Sequence, residues 1–327
     1  MPYSTPRPPT LLTDAEHRGD TARRRFKEGK ALRLYAGHYV LLDEWRGADR
    51  LERFLVQLEA LRSHQDPVFC CESALMLLGV PTFGVPEHIT TVARGGRFGE
   101  QGSRHALPAG MTFRERGGNP LCTPVPHHHH DHRDAEIVKV GRFSVVAGPR
   151  AAAHVLAKGD LRHALTIADA MVRAGSSRVE SVAAELRAVR QPAVRDRAMR
   201  RLEAGRAGAA SPAESGSRAV LLGAGFPEPE LQHEFWDDRG RVGFGDLWWP
   251  RLKLLAEVDG KGKYFDPLMT QGLSPAEVLR REKDRENRLL LLIQALRRWP
   301  WAAIQEGTPI ITAVHSAGLR ATEAVLL

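Results

Sequence analysis

The sequence predicts a multidomain protein of the α+β or α/β class, and three observations predict it. A short basic helix followed by a hairpin pattern lies near the N-terminus. A stretch that is helical by periodicity, with breaks near Gly175 and Pro192, covers residues 151–205. Two strand patterns and a charged helix follow, which is the order of a mixed sheet flanked by helices. The 327 residues are enough for two or three domains of ~100–150 residues each.

The N-terminal pattern begins at Thr13, where Thr-Asp-Ala-Glu is typical of a helix start with Thr13 as the N-cap. Gly19 ends this first helix, and a second helix is predicted over Thr21 to Glu28. The alternation from Ala31 to Val40, with a turn at Gly37, predicts a β-hairpin. Helix, turn, basic helix and hairpin form the winged helix-turn-helix layout, in which the second helix enters the major groove. Its basic residues are the predicted DNA contacts: Arg23, Arg24, Arg25 and Lys27.

Residues Leu11 to Val40, ending in the Gly-x-Tyr-Val of Gly37 to Val40, resemble the N-terminal domain of AbiEi-type antitoxins of type IV toxin–antitoxin systems. The resemblance implies a winged helix that recognises operator DNA. It also implies a cognate toxin or self-association as a partner.

The helical stretch over residues 151–205 contains no constellation of catalytic residues and is interpreted as a scaffold between the two ends of the chain. Helices are predicted over Leu51 to Leu61 and Cys71 to Gly79, and strands over His88 to Val92 and Ile137 to Val140. The run His127 to His132 leaves two alternatives open. It chelates a transition metal, or, as the preceding prolines favour, it is an exposed disordered loop.

The candidate catalytic residues lie mainly in the stretch from Asp246 to Lys263. In a strand, Lys253, Leu255, Glu257 and Asp259 share one face, and the apolar Leu254, Ala256 and Val258 share the other. Asp246 lies on the preceding predicted strand, Val242 to Trp248, and a turn at Pro250 brings it alongside. Converging carboxylates with a lysine nearby are typical of a Mg²⁺ site that acts on a phosphodiester.

This pattern resembles the very-short-patch-repair-like branch of the PD-(D/E)XK nuclease superfamily, which implies a restriction-endonuclease-like fold. The resemblance covers roughly residues 211–305, and four segments carry it: Ser211 to Arg218, Phe226 to Gln232, Glu257 to Tyr264 and Arg280 to Asn287. It implies that Glu214, Asp246 and Glu257 hold Mg²⁺ or Mn²⁺, and we expect Asp259 to be a further ligand.

The motif departs from the family at its lysine position, which holds Asp259. Lys261 or Lys263 then supplies the positive charge at the catalytic site formed with Asp246, Glu257 and Asp259. On the helix predicted from Glu277 to Leu296, Arg281, Lys283 and Arg285 are expected to contact phosphates or form ion pairs.

Composition favours a polyanionic partner such as DNA, since the net charge is +8 and the pI is about 9.7. The hydrophobic fraction of 43% and charged fraction of 26% are ordinary for a globular protein. We expect no membrane span and no signal peptide. Three cysteines, two of them adjacent, form no disulfide framework, which indicates a reducing, cytoplasmic setting.

Two functions follow as alternatives. The first is a DNA-binding protein whose C-terminal domain is a metal-dependent endonuclease. The second is an antitoxin-like transcriptional regulator whose nuclease-like domain is catalytically inactive. The predicted organisation is a disordered leader at 1–10, a winged helix-turn-helix at 11–45, a mostly helical, antitoxin-like α/β middle region at 46–205, a linker at 206–212, a nuclease-like domain at 213–305 and a tail at 306–327.

Overall fold

The computed structural model describes residues 7–14, 21–93, 99–101, 105–112, 124–130, 132, 134–259, 275–322 and 327. These residues form both helices and strands, and the strands build three sheets, which confirms the α+β class. The chain folds as two compact units. We name the first, residues 5–79 and 84–151, the N-terminal unit, and the second, residues 80–83 and 152–327, the C-terminal unit.

The N-terminal unit begins with a small antiparallel sheet and one helix. Its elements are β1 (Leu12–Thr13), α1 (Thr21–Lys27), β2 (Ala31–Tyr35) and β3 (His38–Leu41), with strand order β1-β3-β2. Gly37 has a φ of 75° at the hairpin turn, a conformation that suits glycine. Leu12, Ala22 of α1 and Tyr39 pack into one core because each element turns an apolar side inward.

The predicted second helix and hairpin are confirmed. Thr13, the predicted N-cap of the first helix, pairs with His38 in the ladder between β1 and β3. The rest of the predicted first helix, residues 15–19, lies outside the described residues.

A second, six-stranded sheet fills the remainder of the N-terminal unit. Its strand order is β6-β7-β5-β4-β9-β8. The elements are α2 (Leu42–Gly47), α3 (Arg50–Gln65), β4 (Val68–Phe69), α4 (Cys71–Leu77), β5 (Ile89–Val92), β6 (Gly99–Gln101), β7 (His127–His130), β8 (Ile137–Val140) and β9 (Phe143–Val146). Only the second half of the middle region is therefore mostly helical.

The expectation of a disordered loop at the histidine run is wrong. His127–His130 forms β7, which pairs in parallel with β5 and antiparallel with β6. Two neighbouring strands satisfy its backbone groups, which the sequence pattern of a single short segment does not reveal.

Four helices confirm the predicted helical stretch before residue 205. They are α5 (Gly148–Lys158), α6 (Leu161–Ala174), α7 (Ser176–Arg187) and α8 (Pro192–Glu203). Gly175 separates α6 from α7, and Pro192 opens α8, where a missing backbone N–H costs nothing.

A four-stranded mixed sheet dominates the rest of the C-terminal unit. Strands β10 to β12 are antiparallel, β12 and β13 are parallel, and the strand order is β10-β11-β12-β13. The elements are α9 (Pro212–Gly223), β10 (Glu230–Asp237), β11 (Gly240–Trp249), β12 (Leu254–Asp259), α10 (Pro275–Leu292), β13 (Ala295–Pro300), α11 (Trp301–Glu306) and α12 (Thr308–Ser316). The predicted mixed sheet with flanking helices is confirmed.

The two faces of this sheet bury separate cores, which confirms the alternation predicted for β12. Leu254, Ala256 and Val258 pack with α11 and α12. Leu255, on the other face, packs with Trp248 and with Leu289 of α10. The helix predicted to reach Leu296 instead ends at Leu292, because the following residues join the sheet as β13.

The predicted linker and tail both belong to the packed structure. Ala209, within 206–212, is fully buried. In the predicted tail, Ile310 and Val314 of α12 are fully buried in the core beneath β12.

A separate finding concerns membranes. Within the described ranges, no helix combines the length and apolarity that crossing a bilayer requires.

Gly216 of α9 tests this packing. A β-carbon there would overlap the ring of Phe83 and lie 3.0 Å from Cγ2 of Ile304. The Phe83 ring cannot move aside easily, since its centroid lies 4.7 Å from that of Trp301. We expect Gly216→Ala to lower the free energy of unfolding by about 1–3 kcal/mol, measured by urea denaturation.

Gly223→Ala on the same helix is the matched control. Its β-carbon would meet only the flexible end of Leu161, at 3.3 Å, so we expect a change close to zero. Equal effects of the two substitutions would contradict the packing described for α9.

Candidate functional site

The first turn of α9 fixes the position of Glu214. Ser211 is the N-cap, and its Oγ accepts a hydrogen bond from the Glu214 backbone N–H. The Glu214 carboxylate in turn accepts hydrogen bonds from Ser211 Oγ at 2.8 Å and from the Ala210 N–H at 2.9 Å. The side chain is thus turned back along its own helix and is buried.

Gln232 joins Glu214 to Asp246. Its Nε2 donates to Glu214 Oε2 at 3.0 Å and to Asp246 Oδ1 at 3.1 Å. The second oxygen of Asp246 accepts from the Val258 backbone N–H at 2.9 Å. Gln232 has a φ of 51°, an uncommon backbone conformation for a residue with a side chain. The backbone irregularity therefore lies at the residue that connects the two carboxylates.

Burial and the neighbouring charge of Asp246 raise the pKa of Glu214 above its usual range, although its hydrogen-bond donors oppose the shift. The folded protein consequently holds the Glu214 proton more tightly than the unfolded chain does. This stabilising contribution is complete at acidic pH below the unfolded pKa, and it is lost as the pH rises through the folded pKa.

Glu257 is held by two arginines. Arg285 of α10 donates to Oε1 at 2.6 Å, and Arg298 of β13 donates to Oε2 at 3.0 Å. Burial alone would raise the pKa of Glu257, but Arg285 and Arg298 together lower it below its usual range. Glu257 therefore stabilises the fold above its ordinary pKa, and this contribution is lost as the pH falls through the folded pKa.

Hydrogen bonds connect Asp246 through Gln232 to Glu214 of α9, whereas Glu257 is bound by Arg285 of α10. Glu214 on the leading helix, and Asp246 and Glu257 on adjacent strands, lie on the elements predicted for them. Their oxygens do not converge: in the described residues, every group of three Asp, Glu, His or Cys side chains with ligand atoms within 4.8 Å consists of cysteines and histidines. Asp259 is exposed at the end of β12. Lys261 and Lys263 lie outside the described residues.

The carboxylates do not fit a magnesium ion in this arrangement. Each oxygen of Glu214, Asp246 and Glu257 already accepts a hydrogen bond from a protein donor. Mg²⁺ requires near-octahedral oxygen ligation at about 2.0–2.1 Å, and two guanidinium groups occupy Glu257 instead.

Sequence reasoning missed Gln232 and Arg298. Gln232 is the last residue of the segment Phe226 to Gln232. Its role as a bridge between Glu214 and Asp246 depends on a positive φ that no local sequence pattern predicts. Arg298 stands opposite Glu257 in the parallel register of β12 and β13. That register depends on how α10 crosses over the sheet, so no local pattern indicates it.

The basic residues predicted to contact phosphates differ in solvent exposure and in their ion-pair partners. Arg23, Arg24 and Lys27 of α1 are exposed, whereas Arg25 is half-buried. Arg24 has an acidic neighbour, Glu28, at 3.5 Å, and both side chains are largely exposed. Arg281 and Lys283 of α10 are exposed as well, but Arg285 is bound to Glu257 and Glu282. Three of the four predicted contacts on α1 and two of the three on α10 are therefore accessible to a ligand.

Comparisons of the chain with protein-family models, with curated proteins and with solved structures find no match. The resemblances carried by residues 11–40 and 211–305 therefore remain predictions.

Asp246→Asn tests the pairing of the two carboxylates. Removing the charge of Asp246 should lower the pKa of Glu214 toward its usual value, leaving the part caused by burial. The measurement is a ¹³C NMR titration of the Glu214 carboxyl carbon.

Asp237→Asn is the matched control, because Asp237 lies on the same sheet but pairs with Arg288. It should leave the Glu214 titration unchanged. An unaltered Glu214 pKa in Asp246→Asn would show that the two carboxylates are not neighbours.

Proposed function

We propose that this protein is a DNA-binding regulator that contacts duplex DNA through α1 and the β2–β3 hairpin. The observation that carries the proposal is the exposed basic face of α1, formed by Arg23, Arg24 and Lys27, directly before that hairpin. The order β1-α1-β2-β3, with β1 paired to β3, supports a winged-helix arrangement of these elements.

Electrostatics supports the same proposal. The net charge of +8 attracts a polyanion at long range, and phosphate contacts by lysine and arginine supply sequence-independent affinity. α1 packs through Ala22 and Phe26, so the cationic side chains stand on its outer face. The helix thus combines a fixed position with an accessible charge.

In this proposal the C-terminal unit has a nuclease-like fold without nuclease activity. Two arginines neutralise Glu257, and Asp259 occupies the position where the resembling family has lysine. An anionic transition state at this point would face Asp259 with no described lysine beside it. The unit then acts as a binding or self-association module, and a toxin is the partner implied by the AbiEi-type resemblance.

A second candidate function is metal-dependent cleavage of DNA phosphodiester bonds. The observation that favours it is the Glu214–Asp246 pair, whose mutual repulsion a cation would relieve. This function requires Glu257 to exchange its arginine partners for a metal, a change that a direct assay detects.

Replacing Arg23, Arg24 and Lys27 together by alanine should weaken binding to duplex DNA. For each phosphate that is no longer neutralised, the slope of log K against log salt should fall by about 0.9, because fewer counterions are released. The measurement is fluorescence anisotropy with a labelled duplex over a range of salt concentrations, with circular dichroism to verify the fold.

The charge-matched control replaces three exposed arginines of the helical stretch: Arg178, Arg187 and Arg190. It removes the same charge and should keep most of the salt slope. If both triple variants lose affinity equally, binding depends on net charge alone and α1 does not bind the duplex.

A plasmid-nicking assay with Mg²⁺ or Mn²⁺ decides between the two candidate functions. We expect wild type and Asp246→Ala to leave the plasmid equally intact, because Glu257 remains bound to its arginines. Cleavage by the wild type that Asp246→Ala abolishes would overturn the regulator proposal in favour of the endonuclease.

A further inference from the structure

Two adjacent cysteines and a distant histidine meet inside the N-terminal unit, and the proposed function makes no use of them. Cys70 directly follows β4, Cys71 opens α4, and His132 follows β7. All three are buried, with exposed fractions of 0%, 3% and 8%. Their ligand atoms all lie within 4.8 Å of one another. We name this group the Cys–His cluster.

The backbone turns both thiols to the same side. Consecutive residues of a strand point to opposite faces, so neighbouring cysteines do not normally meet at their sulfurs. Here Cys70 is extended and Cys71 has a φ of 50°, in the left-handed region that residues other than glycine rarely occupy. The Cys70 N–H remains bonded to the Thr90 carbonyl of β5 at 3.0 Å, which fixes the turn. Residues held in such conformations concentrate at functional sites.

The distances match a tetrahedral zinc site. The two sulfurs are 3.6 Å apart, and Cys71 Sγ is 3.5 Å from His132 Nε2. With Zn–S at about 2.3 Å and Zn–N at about 2.0–2.1 Å, tetrahedral geometry places two sulfurs about 3.8 Å apart and a sulfur and a nitrogen about 3.5 Å apart. A single ion between these atoms therefore needs only small movements of the side chains.

His130 is the candidate fourth ligand. It lies on β7 two residues before His132, and its ligand nitrogen is within 4.8 Å of Cys71 Sγ, although it lies outside the group that Cys71 forms with Cys70 and His132. His127 and His129 belong to the other face of β7, where both rings are hydrogen-bonded to Thr91 Oγ1. The alternation of the strand thus divides the histidine run into two faces, and only one of them meets the cysteines.

We propose that Cys70, Cys71 and His132 bind one Zn²⁺ ion, and that the His130 side chain moves to become the fourth ligand. Two cysteines and two histidines form a common structural zinc set, and soft thiolate ligands favour Zn²⁺ over Mg²⁺ or Ca²⁺. Binding replaces the two thiol protons with the metal and releases them to solvent. The ion ties the start of α4 to the segment after β7, across the intervening strand β5. This proposal does not depend on DNA binding.

The test uses the full chain, purified, stripped with a chelator and titrated with Zn²⁺ or with Co²⁺ as a spectroscopic probe. We expect one metal per chain, a thiolate-to-cobalt charge-transfer band with the visible bands of tetrahedral Co²⁺, and protection of two thiols from a thiol reagent. Bound Zn²⁺ should also raise the thermal midpoint.

Cys71→Ser should weaken Zn²⁺ binding by about 100-fold or more, since even removal of a residue that only hydrogen-bonds a metal ligand costs about 10–100-fold. His130→Ala should weaken it too. His129→Ala is the matched control on the opposite face of β7 and should bind as the wild type does, and so should Cys122→Ser. Thiol protection in the wild type remains decisive if the Cys71 variant does not fold.

Three results would overturn the proposal. Cys71→Ser that binds Zn²⁺ as tightly as the wild type would mean that the histidines of β7 bind the metal without the cysteines. Co²⁺ bound without a thiolate band would exclude the cysteines directly. Thiols that react equally fast with and without Zn²⁺ would exclude metal binding at the cluster.

Discussion

The C-terminal unit depends on one buried arginine. Arg218 of α9 is fully buried, and its guanidinium donates to Asp169 of α6 at 2.5 Å and to Glu228 at 2.8 Å. It also donates to the Ala204 carbonyl after α8 at 2.9 Å. Removing one partner of a buried pair typically costs about 3–5 kcal/mol, because the other charge is left without compensation. The pair therefore fixes α9 against the helices that precede it.

The position of α9 decides the chemistry at its first turn. Glu214 lies one turn before Arg218, so the same constraint holds it where Gln232 bridges it to Asp246. Trp299 of β13 donates to Ser217 at 2.9 Å and ties the far edge of the sheet to this helix. Helix packing thus positions the carboxylate pair.

The opposite side of the sheet is organised by α10. Arg285 reaches Glu257 and the Phe244 carbonyl, and Arg298 reaches Glu257 and Glu286. A buried carboxylate between two guanidinium groups gains charge-assisted hydrogen bonds that offset its desolvation. Asp246 and Glu257 lie on adjacent strands, but Asp246 is connected through Gln232 to α9, whereas Glu257 is bound by Arg285 of α10. This separation of the two carboxylates supports a regulator over an endonuclease.

Local patterns in the sequence predict the helices and strands well, but they predict the tertiary contacts between them poorly. Periodicity located α1, the hairpin and the alternating faces of β12, because each depends on neighbouring residues. The bridge at Gln232 depends on one unusual backbone angle, and the pairing of Glu257 with Arg298 depends on a parallel register. Cys71 and His132 meet 61 residues apart in sequence. The histidine run forms a strand because β5 and β6 flank it, which no local pattern states.

In our proposal, duplex DNA is bound by α1 and the β2–β3 hairpin and not by the carboxylates of the C-terminal sheet. Hydrogen–deuterium exchange with and without duplex DNA distinguishes these two binding sites. We expect slower exchange in α1 and the β2–β3 hairpin, with no change in β11 and β12. Protection of the backbone around Asp246 and Glu257, with none in α1, would contradict it.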